Sequence, residues 1–224
     1  MDATAPPPAS RASALQQVWT SPLYRGATII DNTSNIYRAG DIPEAIVAEG
    51  RRRHAEKVKE AIGVDGGPRA DAYSLLLSLS SHALSAMREL IGMPERVIYA
   101  AQRHDGRFLT AAFDYGRFVC HFEAGVDRIP HFDAHLEVYT STEIIRVDYD
   151  TPYVRHLPTR LTRIAPETNA GVSMQTMFPT RNDSFVAEWR AFHRNVTEKK
   201  RPKTTLEDAR NDMVLARDMA AKME

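Results

Sequence analysis

Arg96-Val-Ile-Tyr-Ala-Ala-Gln-Arg-His-Asp-Gly-Arg-Phe-Leu-Thr-Ala-Ala-Phe-Asp-Tyr-Gly-Arg-Phe-Val-Cys-His-Phe-Glu123 changes the rhythm of the chain from helical spacing to period two. Side chains two apart on a strand share a face, so this alternation reads as strands over 97–103, 108–114 and 118–123. Asp105-Gly106 and Tyr115-Gly116 are hairpin signals, because such pairs tolerate the positive φ of tight turns. The pattern resumes over 131–139 and 143–149, and five strands of one antiparallel sheet are predicted.

Helices flank this meander. One is predicted to begin after Asp41, with Pro43 in its first turn and Glu44 at the capping-box position, and to stop at Gly63. Residues 64–69 read as a loop. A second helix covers 80–91, where Leu84, Met87 and Leu90/Ile91 recur at helical spacing and Gly92 and Pro94 close it. Beyond the meander lies a less regular stretch. Then Phe185, Trp189, Phe192 and Val196 form an apolar stripe over 185–196. The last helix is capped by Thr205, with Asp208 three residues on, and runs to about residue 223. Residues 1–18 read as a flexible Pro-rich leader, and 19–30 as an opening strand region. The predicted class is α+β: a single domain over 19–224 in which helices pack on one face of an open, mostly antiparallel sheet.

The bulk properties exclude several function classes. Lys plus Arg and Asp plus Glu balance at 29 each, so no net field favours nucleic acid or an anionic membrane. The basic runs Arg51-Arg-Arg-His54 and Lys199-Lys-Arg-Pro-Lys203 read as a solvated helix face and an interhelical loop. No apolar run approaches the roughly 18 residues of a membrane span, and no secretory signal is recognisable. The single cysteine, Cys120, fits a reducing compartment and a cytoplasmic location, and its apolar neighbours suggest a small core residue.

Candidate chemistry gathers at the histidines. His82, at a helix start, is an acid–base candidate, since imidazole titrates near neutrality; the plainer reading is a polar residue closing that helix end. In His131-Phe-Asp-Ala-His-Leu-Glu-Val-Tyr139, His131, Asp133, His135, Glu137 and Tyr139 share one face. Phe132, Ala134, Leu136 and Val138 share the other and should pack under the helices. His121 and Glu123 alternate with Cys120 and Phe122 in the same way. A His-x-Asp-x-His set suggests a metal, but strand neighbours two apart are about 7 Å from each other. A polar surface facing a small ligand or a second copy is preferred, with no metal. Tyr73 is a further hydrogen-bonding candidate for a polyol or aromatic substrate, and Arg155-His156 and Arg160 for an acidic one.

Three stretches and their order carry a family resemblance: Ser81-His-Ala-Leu-Ser-Ala-Met-Arg-Glu-Leu-Ile-Gly-Met-Pro-Glu-Arg-Val97, Ala134-His-Leu-Glu-Val-Tyr139, and the terminal helix pair joined by Lys199-Lys-Arg-Pro-Lys203. Together they resemble the C-terminal domain of Gfo/Idh/MocA oxidoreductases. The resemblance implies an NAD(P)-dependent family, a substrate site on the open sheet and oligomer contacts through it. It assigns His82 the place of the family histidine, although position 78 is Ser where the family often has Asp. His121 and His135 complete the candidate catalytic set. His131, Asp133, Glu137, Tyr139 and Tyr73 are the candidate substrate-binding set. The family's cofactor half is not recognisable: there is no G-x-G-x-x-G and no Glu-Lys-Pro motif, so no cofactor-binding residue is assigned.

Four functions remain open at this stage. The chain is a substrate-binding domain whose redox chemistry needs a Rossmann domain from another chain or from sequence lost upstream. Alternatively, it is a cofactor-independent isomerase, lyase or cyclase, a dimeric binding protein, or a truncated product.

Overall fold

The computed structural model describes residues 42–127, 132–151, 154–168 and 171–223. The leader, the opening strand region and His131 lie outside them. Five helices and seven strands follow in order: α1 (Glu44–Ile62), α2 (Pro68–Ser78), α3 (Ser81–Ile91), β1 (Arg96–Arg103), β2 (Phe108–Asp114), β3 (Val119–Gly125), β4 (Ala134–Tyr139), β5 (Ile144–Tyr149), β6 (Arg160–Pro166), β7 (Val172–Met177), α4 (Ser184–Thr197) and α5 (Leu206–Lys222). The class is α+β with open antiparallel sheets, as expected.

Helix α1 stops where the sequence says it should. Gly63 takes φ 78° and its N–H donates to the Lys59 carbonyl at 2.9 Å. The arginines of the first basic run are neutralised within the helix: Arg52 and Arg53 bond Glu49, and Arg52 also bonds Glu56. The predicted 64–69 loop is shorter than expected. It ends at Gly67 (φ 83°), and Pro68, whose missing N–H costs nothing in a first turn, opens α2. Helix α5 begins as predicted, with the Thr205 hydroxyl accepting from the Asp208 N–H at 3.2 Å. Thr205→Ala should lower stability by about 1 kcal/mol, measured by urea denaturation.

The sheet is a correction. Instead of one, the described residues form two, β1-β2-β3 and β4-β5-β6-β7, each antiparallel throughout. The β2–β3 ladder runs one pair past β3, with the Val126 N–H on the Arg107 carbonyl at 3.0 Å. Strands β6 and β7 occupy the stretch that looked irregular.

The core sits between the helices and one face of the first sheet. Leu109, Ala111 and Phe113 of β2 and Phe122 and Ala124 of β3 meet Leu76, Leu84, Met87, Leu215 and Met219. Cys120 is half-buried on this side, its Sγ 3.6 Å from Met87 Sδ, and burial pushes its thiol pKa up. The second sheet is different. No residue of β4–β7 is buried, so Ala134, Leu136 and Val138 do not lie in the helix-packed core as predicted. Four of the five described helices gather on the other sheet, and this row is left half-exposed.

Candidate functional site

The four-stranded sheet places the alternating residues of β4 against a charged ladder. The turn after Tyr139 closes with the Thr140 N–H on the Glu143 carbonyl at 2.9 Å, which sets the register. Glu137 then faces Arg146, and His135 faces Asp148. One strand further on, Asp148 faces Arg160 and Arg146 faces Thr162. Residues directly opposite in an antiparallel pair share a face, so these groups form one polar surface.

The hydrogen bonds link them. Arg146 Nη1 donates to Glu137 Oε2 at 3.0 Å and Arg146 Nε to Asp148 Oδ1 at 2.8 Å. Arg160 Nε reaches Asp148 Oδ2 at 3.4 Å. His135 Nδ1 lies 3.4 Å from Asp133 Oδ1. The Tyr139 hydroxyl, then the Arg146 guanidinium, hold the Glu137 carboxyl below its usual range, so it is an anion at neutral pH. The same contact raises the Tyr139 phenol, which lies at the hairpin end of the strand and is 72% exposed. Alternating donors and acceptors suit a ligand rich in hydroxyls.

The remaining candidates stand elsewhere. His82 is the second residue of α3 and exposed. His121 lies on the face of β3 opposite the buried Phe122. Among the described residues neither ring is in a hydrogen bond or ion pair. Tyr73 belongs to the core of α2, is 3% exposed, and burial raises its phenol pKa. The structure therefore brings together His135, Asp133, Glu137 and Tyr139, and adds Arg146 and Asp148, which the sequence reading missed. Their signal was the alternation Arg146-x-Asp148, legible only once the register is known. Among the described residues no cluster of three or more His, Cys, Asp or Glu could hold a metal. No described helix is long and apolar enough to cross a membrane.

A dinucleotide does not fit the described residues. Its pyrophosphate needs a glycine turn from a parallel strand into a helix. Here every strand pair is antiparallel, and the turn at Gly63, Gly66 and Gly67 joins two helices.

Comparison with solved structures finds this architecture similar in fold to oxidoreductases of the Gfo/Idh/MocA type, over about two thirds of the chain. No family model and no curated protein matches the chain. Among the similar structures is KijD10, a 3-ketoreductase from Actinomadura kijaniata in complex with TDP-benzene and NADP. The likeness has a TM-score of 0.53 at 15% identity, over 66% of this chain and 47% of that one. Another is yvaA from Bacillus subtilis, described as an oxidoreductase, with a TM-score of 0.51 at 14% identity over 66% and 49%. The likeness thus spans about half the length of these proteins.

Proposed function

We propose that this chain is the substrate-side domain of a Gfo/Idh/MocA-type oxidoreductase. It docks a small oxygenated molecule, sugar-like or a natural-product intermediate, on the polar face of the four-stranded sheet. The network joining Glu137, Arg146, Asp148 and Arg160 supports this reading, since it sets charged donors and acceptors side by side on a fold that KijD10 shares. Arg146 and Arg160 donate to ligand oxygens, Glu137 and Asp148 accept from hydroxyls, and His135, beside Asp133, is placed to take or return a proton. Redox turnover requires NAD(P) held on a Rossmann domain outside the described residues. The open sheet, with Tyr139, Val172 and Met174 exposed, is the proposed surface for a second copy. A cofactor-free isomerase or lyase is the second reading, and the His135–Asp133 pair is the observation that favours it.

Thermal shift with a panel of polyols and keto sugars tests the proposal. A ligand that raises Tm should bind at least about ten-fold more weakly to His135→Ala and to Arg146→Gln, because each removes a hydrogen bond to a polar ligand. NAD(P) should shift Tm only when a Rossmann-domain partner is present. A shift with NAD(P) alone, or a polyol shift that survives Arg146→Gln, overturns the assignment. Turnover of a keto sugar by the purified chain without nicotinamide, abolished in His135→Ala, would establish the second reading instead.

A further inference from the structure

Away from the polar sheet face, a groove of about 860 Å³ runs between α4 and the loop before β6. Arg155 and His156 line it from the loop, and Trp189, Arg190, His193 and Arg194 from the helix. Its size falls within the range of small-molecule sites.

The two walls are fastened together. Asp183, 6% exposed, caps α4 by accepting the Val186 N–H on Oδ1 at 2.9 Å. Its Oδ2 accepts the His156 N–H at 3.0 Å. His156 takes φ 62°, a left-handed conformation uncommon outside glycine, which the Asp183 bond holds in place. The one carboxylate of the groove is thereby turned toward backbone donors. The loop and the helix form a fixed pair of walls.

The cations between those walls are uncompensated. Several other arginines find carboxylates, among them Arg52 and Arg53 on α1, Arg88 on α3, and Arg146 and Arg160 on the sheet. Arg155, Arg190 and Arg194 have no carboxylate partner among the described residues. Arg190 and Arg194 are four apart, so they share a helix face, and Arg155 approaches from the loop. A guanidinium presents paired donors that match phosphate or carboxylate oxygens two at a time. Beside them, the Trp189 ring is 68% exposed and braced edge-on by Phe192, centroids 5.8 Å apart at 90°. An indole held in this way offers a free face to another ring.

We propose that this groove binds a small aromatic anion of the aryl-phosphate class. The anionic group lies among Arg155, Arg190 and Arg194, and the ring lies on Trp189. The site is separate from the sheet face and goes beyond the function proposed above.

Calorimetric titration of the full chain with 1-naphthyl phosphate, inorganic phosphate and 1-naphthol tests it. 1-Naphthyl phosphate should bind more tightly than either part alone, and more weakly as salt rises. Arg190→Gln/Arg194→Gln and, independently, Arg155→Gln should each weaken it at least about ten-fold, since charged hydrogen bonds are lost. Trp189→Ala should weaken 1-naphthyl phosphate by about ten-fold and leave inorganic phosphate unchanged. All these side chains are exposed, and unchanged melting by circular dichroism will show that the variants fold. His135→Ala should leave the affinity within about two-fold, which separates this site from the sheet. Equal binding of 1-naphthol, indifference to the arginine substitutions, or no heat at millimolar ligand overturns the proposal. So does a single-stranded oligonucleotide that outcompetes 1-naphthyl phosphate and loses affinity on the same substitutions, which would make the groove a nucleic-acid surface.

Discussion

Arg88→Ala is expected to lower folding stability by about 3–5 kcal/mol, because it leaves a carboxylate buried without its counter-charge. Arg88 is 8% exposed on α3. Its Nε donates to Asp212 Oδ1 at 2.7 Å and its Nη1 to Asp208 Oδ1 at 2.8 Å, both on α5. Asp212, also 8% exposed, would lose its partner. Chemical denaturation of both proteins measures the difference. Arg88→Met with Asp212→Leu should recover much of the loss, since apolar pairs of similar volume often replace buried ion pairs without penalty. A loss below about 1 kcal/mol in Arg88→Ala would mean the pair contributes no more than a surface salt bridge.

The Arg88–Asp208 contact fixes the sign of a pH effect. The Arg88 hydrogen bond holds Asp208 below its ordinary 3.8. Its contribution is therefore fully present above that value and is lost as pH falls through the lower folded value. The gap between wild type and Arg88→Ala should narrow on acidification below about pH 4.

Gly106→Ala is the second large effect, expected at about 2–5 kcal/mol from backbone strain and overpacking together. Asp105 (φ 57°) and Gly106 (φ 76°) form the tip of the β1–β2 hairpin, closed by the Arg107 N–H on the His104 carbonyl. A methyl group at 106 would run into the Pro68 carbonyl oxygen and lie 2.6 Å from the Ala72 nitrogen. Both are backbone atoms of α2 and cannot swing aside. Gly63→Ala, with positive φ but open space around it, should lose only the conformational part, about 1 kcal/mol. Thermal denaturation of the two variants separates strain from collision. Equal losses would remove the packing argument.

What the sequence made legible follows from how each element is stabilised. The hairpin at Asp105-Gly106, the stop at Gly63 and the Thr205 cap are local, and local chemistry reads without a fold. Helix α2 escaped because Ala70, Ala72, Tyr73 and Leu76 are all buried, so its apolar residues do not keep to one stripe. Strands β6 and β7 escaped for the opposite reason: with neither face buried, Arg160-Leu-Thr-Arg-Ile-Ala-Pro166 has no clean alternation. In the candidate site, one strand showed His135 and Glu137. Arg146 and Asp148 became their neighbours only through the Thr140–Glu143 turn. The division into two sheets was not legible, because period two says that strands exist and nothing about which of them pair.

That division has a thermodynamic consequence. The amide ladder of β4–β7 is braced by no buried side chain, whereas β1–β3 shares its interior with four helices. Such a molecule opens in parts, the braced portion surviving excursions in which the other lets go. A ligand clasped across β4, β5 and β6 would act as a fastener for the weaker part, so occupancy and local order there would rise and fall together.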